Sequence, residues 1–158
     1  MIRKARAEDI PRIAEIIVFG KRVAYRPIFQ NDIVSFNELQ VMDLVDEYSS
    51  NLSLIENMLV YDDGILKGVI NRKFVGDTIE LCEFYVESFF KGNGIGRELI
   101  RYVIEDAKKA HIEKIFLWVI KDNFAARKFY EANGFQATGQ TCMIEGTDKL
   151  DMYYELLV

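Results

Sequence analysis

The sequence predicts a single α/β domain, residues 1–158, built around a mixed β-sheet. Two observations lead to this prediction. In the second half of the chain, strand-like apolar runs alternate with helix-like segments, as in strand–helix–strand units. In the first half, two helical patterns precede two strand-like runs that meet at Asp62-Asp63-Gly64, a typical hairpin turn. Half of the residues are hydrophobic and 28% are charged, which is ordinary for a globular domain.

The elements follow one another with recognisable boundaries. The first helix places Ile10, Ile13 and Ile17 on one face, and Pro27 is expected to break the chain after it. The run 114–121 is almost wholly apolar, as expected of a central parallel strand covered on both faces. In order, the prediction is a strand at 1–6, helices at 7–25 and 32–48, a hairpin ending near 75, a strand at 78–86, a helix at 94–110, a strand at 114–121, a helix at 123–133, and strands near 135–140 and 150–158.

Two of the helices have particularly clear sequence signals. In the helix at 94–110, Ile95, Leu99 and Val103 recur every four residues, and charged side chains occupy the other face. The helix at 123–133 begins at Asn123, a good N-cap residue, and Gly134 is a typical C-cap residue just after its end.

The composition argues against several classes of function. A net charge of −5 disfavours nucleic-acid binding, which uses a basic face. With His111 as the single histidine, a site of several histidines is impossible and no metal is expected. The chain lacks a signal peptide and a run of about 20 apolar residues, so we expect no membrane association. Cys82 and Cys142 are isolated thiols, which fits a reducing cytoplasm, and Cys82 is expected to be a small buried side chain.

A glycine-rich stretch lies between a predicted strand and the following helix. Gly92, Gly94 and Gly96 occupy every second position there. Glycine opens backbone angles that are closed to other residues, and N–H groups at the start of a helix bind anions. The stretch fails two common phosphate motifs, because Arg97 stands where a Walker A loop has lysine and Leu99 where a dinucleotide fingerprint has glycine. The pattern alone leaves open whether the glycines serve packing or a ligand.

A second segment completes the pattern. Tyr130 follows Asn123 by seven residues, nearly two helical turns, so both side chains point to one side. In a right-handed strand–helix–strand unit, the glycine stretch and Asn123 would border one crevice. Together the two segments resemble the GNAT family of N-acetyltransferases. The matching residues are Lys91-Gly92-Asn93-Gly94-Ile95-Gly96, with lysine in place of the usual arginine or glutamine, and Asn123, Ala126, Phe129, Tyr130, Gly134 and Phe135.

The resemblance implies a fold and a set of ligand contacts. The implied fold is the GNAT acyl-CoA N-acyltransferase fold, a mixed, mostly antiparallel sheet of about seven strands with about four helices and splayed central parallel strands. Acetyl-CoA is the implied co-substrate, with its pyrophosphate on the glycine loop and its pantetheine arm along the fourth strand. The residues assigned to it are Phe84, Tyr85, Val86, Lys91, Gly92, Asn93, Gly94, Ile95, Gly96, Arg97, Asn123, Ala126 and Tyr130.

The implied reaction is direct transfer of the acetyl group to a primary amine within a ternary complex. Tyr130 would protonate the leaving thiolate, and a backbone N–H near Phe84 would stabilise the oxyanion. Glu83 is the candidate base, because it shares a strand face with apolar residues and a dehydrated carboxylate takes up a proton more readily. It stays open whether Glu83 is the base, orients a water chain, or pairs with an arginine such as Arg72.

The acceptor is the least defined part of this prediction. In the family it enters between the first two helices and the last hairpin, where Tyr25, Arg26 and Phe29 are the candidate lining residues. An amino acid, a polyamine, a peptide amino terminus, an antibiotic or a lysine side chain would all suit this reading. A homodimer is an expectation from family habit. The alternative function is a non-catalytic acyl-CoA binding or sensing module on the same fold.

Overall fold

The computed structural model describes all 158 residues, Met1–Val158. It has four α-helices and seven strands, which confirms the predicted α/β class. The strands are β1 (Ile2–Lys4), β2 (Leu59–Asp62), β3 (Leu66–Val75), β4 (Thr78–Val86), β5 (Lys114–Ile120), β6 (Gln136–Met143) and β7 (Leu150–Leu157), and the helices are α1 (Ile10–Phe29), α2 (Val41–Ser50), α3 (Ile95–Lys109) and α4 (Phe124–Ala132). The strands form one sheet in the order β1-β2-β3-β4-β5-β7-β6.

The first of two compact units comprises Met1–Arg72 and Cys82–Tyr102. Strands β1 and β2 pair antiparallel, as do β2 and β3. The apolar face of α1 packs into the core of this unit because its isoleucines recur with the period of a helix. One cluster of buried side chains in this unit comprises Ile10, Ile13, Ile16, Ile17, Tyr48, Ile55, Met58, Val60, Leu66 and Val69.

The sequence prediction of a break at Pro27 is wrong. Helix α1 continues through Pro27 to Phe29 and ends at Gln30, which has a left-handed φ of 51°. Proline removes one backbone hydrogen bond, here the bond to Val23 one turn earlier. Because Pro27 lies close to the end of a 20-residue helix, the remaining bonds hold the last turn, including the bond from Gln30 N–H to the carbonyl of Arg26 at 2.8 Å.

The single helix predicted at 32–48 is divided in the structure. A π-helical turn spans Ile33–Glu38, and α2 starts only at Val41. The guanidinium of Arg22 explains the interruption, since it donates to the carbonyls of Ser35 and Leu39, each at 2.8 Å. Hydrogen bonds to a charged group are worth about 1.5–3 kcal/mol each, enough to outweigh local helix preference. The adjacent Gln40 also contributes, since its side-chain amide donates to the carbonyls of Phe36 and Asn37 at 2.8 Å and 3.3 Å.

The second compact unit comprises Lys73–Leu81 and Val103–Val158. Within it, β4 and β5 form a parallel ladder from Thr78–Lys114 to Glu80–Phe116. Strand β7 pairs antiparallel with β5 on one side and β6 on the other, and the β6–β7 register shifts between Ala137 and Thr141. The buried apolar side chains of this unit are Ile79, Leu81, Val103, Ala107, Ile112, Ile115, Leu117, Val119, Ile120, Phe135 and Tyr154.

Strand β5 departs from the prediction that both of its faces are covered. Ile115, Leu117 and Val119 are buried, whereas Phe116 and Trp118 on the other face are only partly covered. The ring of Phe116 stacks on Tyr153 with centroids 5.3 Å apart, which gives this face a local aromatic contact. Separately, no helix in the chain has the length and apolar character needed to cross a bilayer.

Candidate active site

The glycine-rich stretch forms the turn between β4 and α3. Strand β4 ends at Val86, a 3₁₀ turn follows at Ser88–Phe90, and α3 starts at Ile95. Gly92 and Gly94 each have a φ of +83°, and no atom lies within 4 Å of a Cβ built on either of them. Their glycine requirement therefore comes from backbone conformation and not from close packing. The sequence left open whether the glycines serve packing or a ligand. For Gly92 and Gly94, this geometry disfavours packing.

The turn presents exposed backbone beside the amino end of a helix. Lys91, Gly92, Asn93 and Gly94 are all exposed, and the 15-residue α3 begins directly after them. The amino end of a helix carries a partial positive charge and unpaired N–H groups, a combination that binds anions such as phosphates. The exposed side chain of Arg97 adds a full positive charge in the first turn. No group of three or more histidine, cysteine, aspartate or glutamate side chains is arranged to hold a metal ion.

Glu87 fixes the end of β4 just before this turn. Its side chain is buried, and one carboxylate oxygen accepts from Arg12 of α1 at 2.8 Å. The other oxygen accepts from the N–H of Ser88 at 2.9 Å, and the N–H of Glu87 donates to the carbonyl of Lys67 at 2.8 Å. Because a buried carboxylate needs charged or N–H partners, these contacts hold the strand end in one position. The sequence analysis did not assign Glu87 any role.

Two side-chain pairs join α1 to β4 within the first unit. The ammonium of Lys21 lies 3.0 Å from Oε1 of Glu83, and the hydroxyl of Tyr25 lies 2.9 Å from that of Tyr85. The two helix residues are four apart, a rise of about 6 Å, and the two strand residues are two apart, about 6.6 Å. The two repeats match, so the helix runs alongside the strand over this stretch.

Gly20 allows the helix to approach the strand. A Cβ built on Gly20 would lie only 2.5 Å from Cδ1 of Tyr85 and 3.0 Å from its Cγ. Only glycine avoids this collision without movement of the ring. A lone glycine inside a helical pattern is the signal in the sequence that could have indicated this close approach.

Tyr48 of α2 adds a buried phenol to the surroundings of Glu83. Its ring is 6% exposed and belongs to the core of the first unit. Burial raises the pKa of Tyr48, and the carboxylates of Glu83 and Glu47 raise it further. The hydroxyl of Tyr48 therefore stays protonated throughout the physiological pH range. The sequence analysis treated this residue only as the end of a helix.

The alternation predicted along β4 holds at Ile79, Leu81 and Cys82. Ile79 and Leu81 are buried, and the side chain of Glu83 is 21% exposed. Cys82, on the opposite face, is exposed, so the expectation that it is a buried apolar side chain is wrong. The partner that the structure gives Glu83 is Lys21, which the sequence analysis did not consider.

The three residues expected to line the acceptor site lie on the last two turns of α1. The rings of Tyr25 and Phe29 meet edge to face, with centroids 6.2 Å apart. Arg26 donates from Nε to Asp32 at 2.6 Å, and its guanidinium lies 5.7 Å from the ring centroid of Phe36. Tyr25 contacts β4 directly, through the hydroxyl of Tyr85.

In the second unit, Asn123 and Tyr130 take the positions that the sequence predicts on α4. The side-chain oxygen of Asn123 accepts from the N–H of Ala126 at 3.2 Å and so caps the helix. Tyr130 is half-buried, and its ring meets those of Phe129 and Phe135 edge to face, with centroids 5.6 Å and 5.7 Å away. These aromatic contacts fix the orientation of the Tyr130 ring.

Asp151 is a further titratable residue that the sequence analysis passed over. It lies near the start of β7, opposite Ile120 of β5 and Cys142 of β6. Burial raises the pKa of its carboxyl group, and no neighbouring cation offsets this effect. Carboxyl groups shifted by burial are enriched at functional sites, although no residue type or spacing in the sequence distinguished this one.

Comparison with known proteins places this geometry in a family. The profile of the acetyltransferase (GNAT) family matches residues 24–135, a range that includes β4, the glycine turn and α4. The chain belongs to the GNAT family. The match confirms the resemblance that the glycine loop and the later Asn–Tyr segment indicate in the sequence.

Individual relatives agree with this assignment. A spermidine N(1)-acetyltransferase of Thermoplasma acidophilum is 24% identical over 98% of this chain and 94% of its own length. N-alpha-acetyltransferase 40 of Saccharomyces cerevisiae is 33% identical, but the match covers 49% of this chain and 30% of the yeast protein. The crystal structure of PaiA N-acetyltransferase from Thermoplasma acidophilum in complex with coenzyme A superposes with a TM-score of 0.78 at 24% identity, covering 100% of this chain and 98% of that one. The structural match confirms the GNAT fold.

Proposed function

We propose that the protein is an N-acetyltransferase, with residues 1–158 acting as one catalytic domain, that moves the acetyl group of acetyl-CoA to a primary amine. The observation that carries the proposal is the turn of Gly92 and Gly94. Their left-handed backbone, free of any packing requirement, leads directly into the amino end of α3 in a chain of the GNAT family. A coenzyme A complex of a structural relative supports the choice of co-substrate.

The binding part of the proposal assigns each contact to a chemical group. The N–H groups from Lys91 to Arg97 would donate to the pyrophosphate, supported by the helix dipole of α3. The backbone of Phe84, Tyr85 and Val86 would pair with the pantetheine arm. Asn123 uses its side-chain oxygen to cap α4, so its donor to the arm would be the amide NH2 group. Ala126 lies in the first turn of α4, and its small side chain would leave room beside the arm.

The chemical part assigns base, oxyanion donor and acid. An amine attacks only when neutral, so Glu83, directly or through a water chain, would take its proton. A backbone N–H near Phe84 would stabilise the tetrahedral oxyanion. Tyr130 would protonate the thiolate as the C–S bond breaks. Attack within a ternary complex places amine and thioester side by side, which removes the entropic cost of a second encounter.

The first experiment is calorimetric titration of the purified protein with acetyl-CoA, with ATP and NAD as controls. We expect binding of acetyl-CoA and weak or no binding of the controls. A thiol-release assay over a panel of amines then tests transfer. The panel should contain spermidine, free amino acids, peptides with a free amino terminus, and peptides with a lysine side chain. This range is needed because the relatives differ in the acceptors that their names state. Absence of acetyl-CoA binding would refute the proposal.

The role of Glu83 has its own test. Glu83→Gln should lower turnover most at low pH, where the amine is protonated and depends most on a base. Glu105→Gln, which changes an exposed carboxylate of α3, is the matched control and should leave the profile unchanged. A Glu83→Gln enzyme with the pH profile of the unaltered protein would end the assignment of the base.

A non-catalytic acyl-CoA binding module is the second candidate, and binding without turnover across the whole panel would favour it. We also propose a reducing compartment, the cytoplasm, since neither Cys82 nor Cys142 forms a disulfide. The homodimer stays a prediction, which sedimentation equilibrium tests.

A further inference from the structure

The amine nitrogen of Lys21 is held beside Glu83, the residue that we assign as the base. It lies 3.0 Å from Oε1 of Glu83, and its side chain is only 25% exposed. We propose that Lys21 is an internal acceptor, acetylated on Nζ by acetyl-CoA bound to the same chain when no external amine is present. The inference rests on the proposed function, because it uses the same co-substrate and the same base.

The position of Lys21 follows from how α1 is held against β4. Its neighbour Gly20 lies so close to Tyr85 that a side chain at position 20 would collide with the ring. One helical turn further on, the hydroxyl of Tyr25 meets that of Tyr85 at 2.9 Å. Because Gly20 and Tyr25 both hold α1 against Tyr85, the Lys21 side chain between them reaches Glu83 of the same strand. The amine is therefore held near one carboxylate and does not sample solvent freely, which favours reaction by proximity.

The residue beside Glu83 is the one whose backbone N–H we assign to the oxyanion. Phe84 follows Glu83 directly, and consecutive Cα atoms are about 3.8 Å apart. A thioester carbonyl aimed at that N–H would thus lie within reach of the Lys21 amine, which is paired with Glu83. Two other ion-paired lysines differ in this respect, since Lys67 pairs with Asp63 and Lys114 with Glu155, neither of which is a candidate base.

The step balances with the groups named. Glu83 takes one proton from the Lys21 ammonium, and the neutral Nζ forms a bond to the acetyl carbon. The bonded nitrogen then releases its second proton as the C–S bond breaks, the CoA thiolate takes up one proton, and the proton on Glu83 passes to solvent. The product is an uncharged amide, which can no longer form an ion pair with Glu83. An acetylated Lys21 would also fill the acceptor position, so the modified protein should transfer to external amines more slowly.

The test is incubation of the purified full chain with acetyl-CoA and no added amine. Intact mass should increase by one acetyl group, and peptide mapping should place that group on Lys21. Because the reaction is intramolecular, its first-order rate should not change with protein concentration. Lys21→Arg should abolish the modification while acetyl-CoA binding persists. Glu83→Gln should slow it by about 100-fold, the lower range for general acid–base catalysis.

Lys114→Arg is the matched control variant. Lys114 is 30% exposed and lies 3.7 Å from a carboxylate oxygen of Glu155, so it resembles Lys21 in exposure and in having a carboxylate neighbour. Chemical acetylation by acetyl-CoA in solution would modify both lysines at similar rates, whereas the proposal expects Lys21 to react far faster. Lys114→Arg should leave the rate at Lys21 unchanged.

The possible failures can be told apart. Turnover of an external amine without modification of Lys21 would overturn this inference and leave the proposed function standing. Equal acetylation of Lys21 and Lys114, or a rate that rises with protein concentration, would also overturn it. Absence of both acetyl-CoA binding and turnover would instead refute the proposed function, and the internal acceptor with it.

Discussion

Replacement of Gly20 by alanine tests the contact that holds α1 against β4. The added Cβ would lie 2.5 Å from Cδ1, 3.0 Å from Cγ and 3.2 Å from Cβ of Tyr85. Carbon atoms prefer separations of about 3.5–4.0 Å, so the ring or the helix must move by roughly 1 Å. Overpacking of this kind costs about 1–3 kcal/mol, and alanine returns up to about 1 kcal/mol through its higher helix propensity.

The net expectation for Gly20→Ala is a destabilisation centred on about 1 kcal/mol, which lowers Tm by about 2–4 °C in a chain of this size. Thermal unfolding and urea titration measure this change. The decisive comparison is the same substitution in a Tyr85→Ala background, where the ring is absent. There Gly20→Ala should be close to neutral or stabilising, because the clash with the ring is gone and only the milder 3.2 Å contact with Cβ of residue 85 opposes the propensity gain. An equal effect in both backgrounds would show that the predicted collision does not exist.

Three further substitutions test other parts of the structure. Tyr130→Phe should lower turnover by about 100-fold or more while acetyl-CoA affinity changes little, since it removes an acid and keeps the ring; unchanged turnover, measured by thiol release, would remove the role. Gly94→Ala places a side chain at a φ of +83°, so it should cost about 1–2 kcal/mol in loop stability and lower acetyl-CoA affinity. Asn93→Ala keeps the backbone N–H and should leave acetyl-CoA affinity unchanged. Calorimetry measures both affinities, and equal values for the two variants would contradict the conformational argument. Asp9→Asn removes a carboxylate held by Arg3, whose hydrogen bonds keep the pKa of Asp9 below its usual value of 3.8. A lowered pKa stabilises the fold above the unfolded pKa, and this contribution is lost as the pH falls through the folded value. The stability difference between the unaltered protein and Asp9→Asn should therefore shrink between pH 7 and pH 3 in urea titrations; a difference independent of pH would refute the linkage.

Local sequence signals predicted the elements whose stability is local. The helix α3 shows its pattern in Leu99 and Val103, and both are buried as that pattern requires. The glycine turn was likewise visible, because a left-handed backbone at Gly92 and Gly94 leaves glycine as the favoured residue. The cap of α4 at Asn123 follows the same logic, since the helix supplies its own partner three residues on.

Errors arose where distant residues determine a local conformation. The break before α2 depends on Arg22, whose guanidinium captures carbonyl groups of Ser35 and Leu39. Arg22 lies outside the segment 32–48, so the local sequence of that segment does not reveal the contact. Pro27 misled in the opposite direction, because its position near the end of a long helix makes the lost hydrogen bond tolerable.

For this protein, the sequence by itself determined the α/β class, the glycine turn before α3 and the resemblance to the GNAT family. Each depends on spacing along the chain, which sets the period of a helix, the angles of a turn and the order of elements. Tertiary structure alone decided which groups surround Glu83. Lys21 is 62 residues away in sequence, and it meets Glu83 because Gly20 lets α1 approach Tyr85 of β4. Such contacts depend on packing between elements, which no pattern within one element encodes.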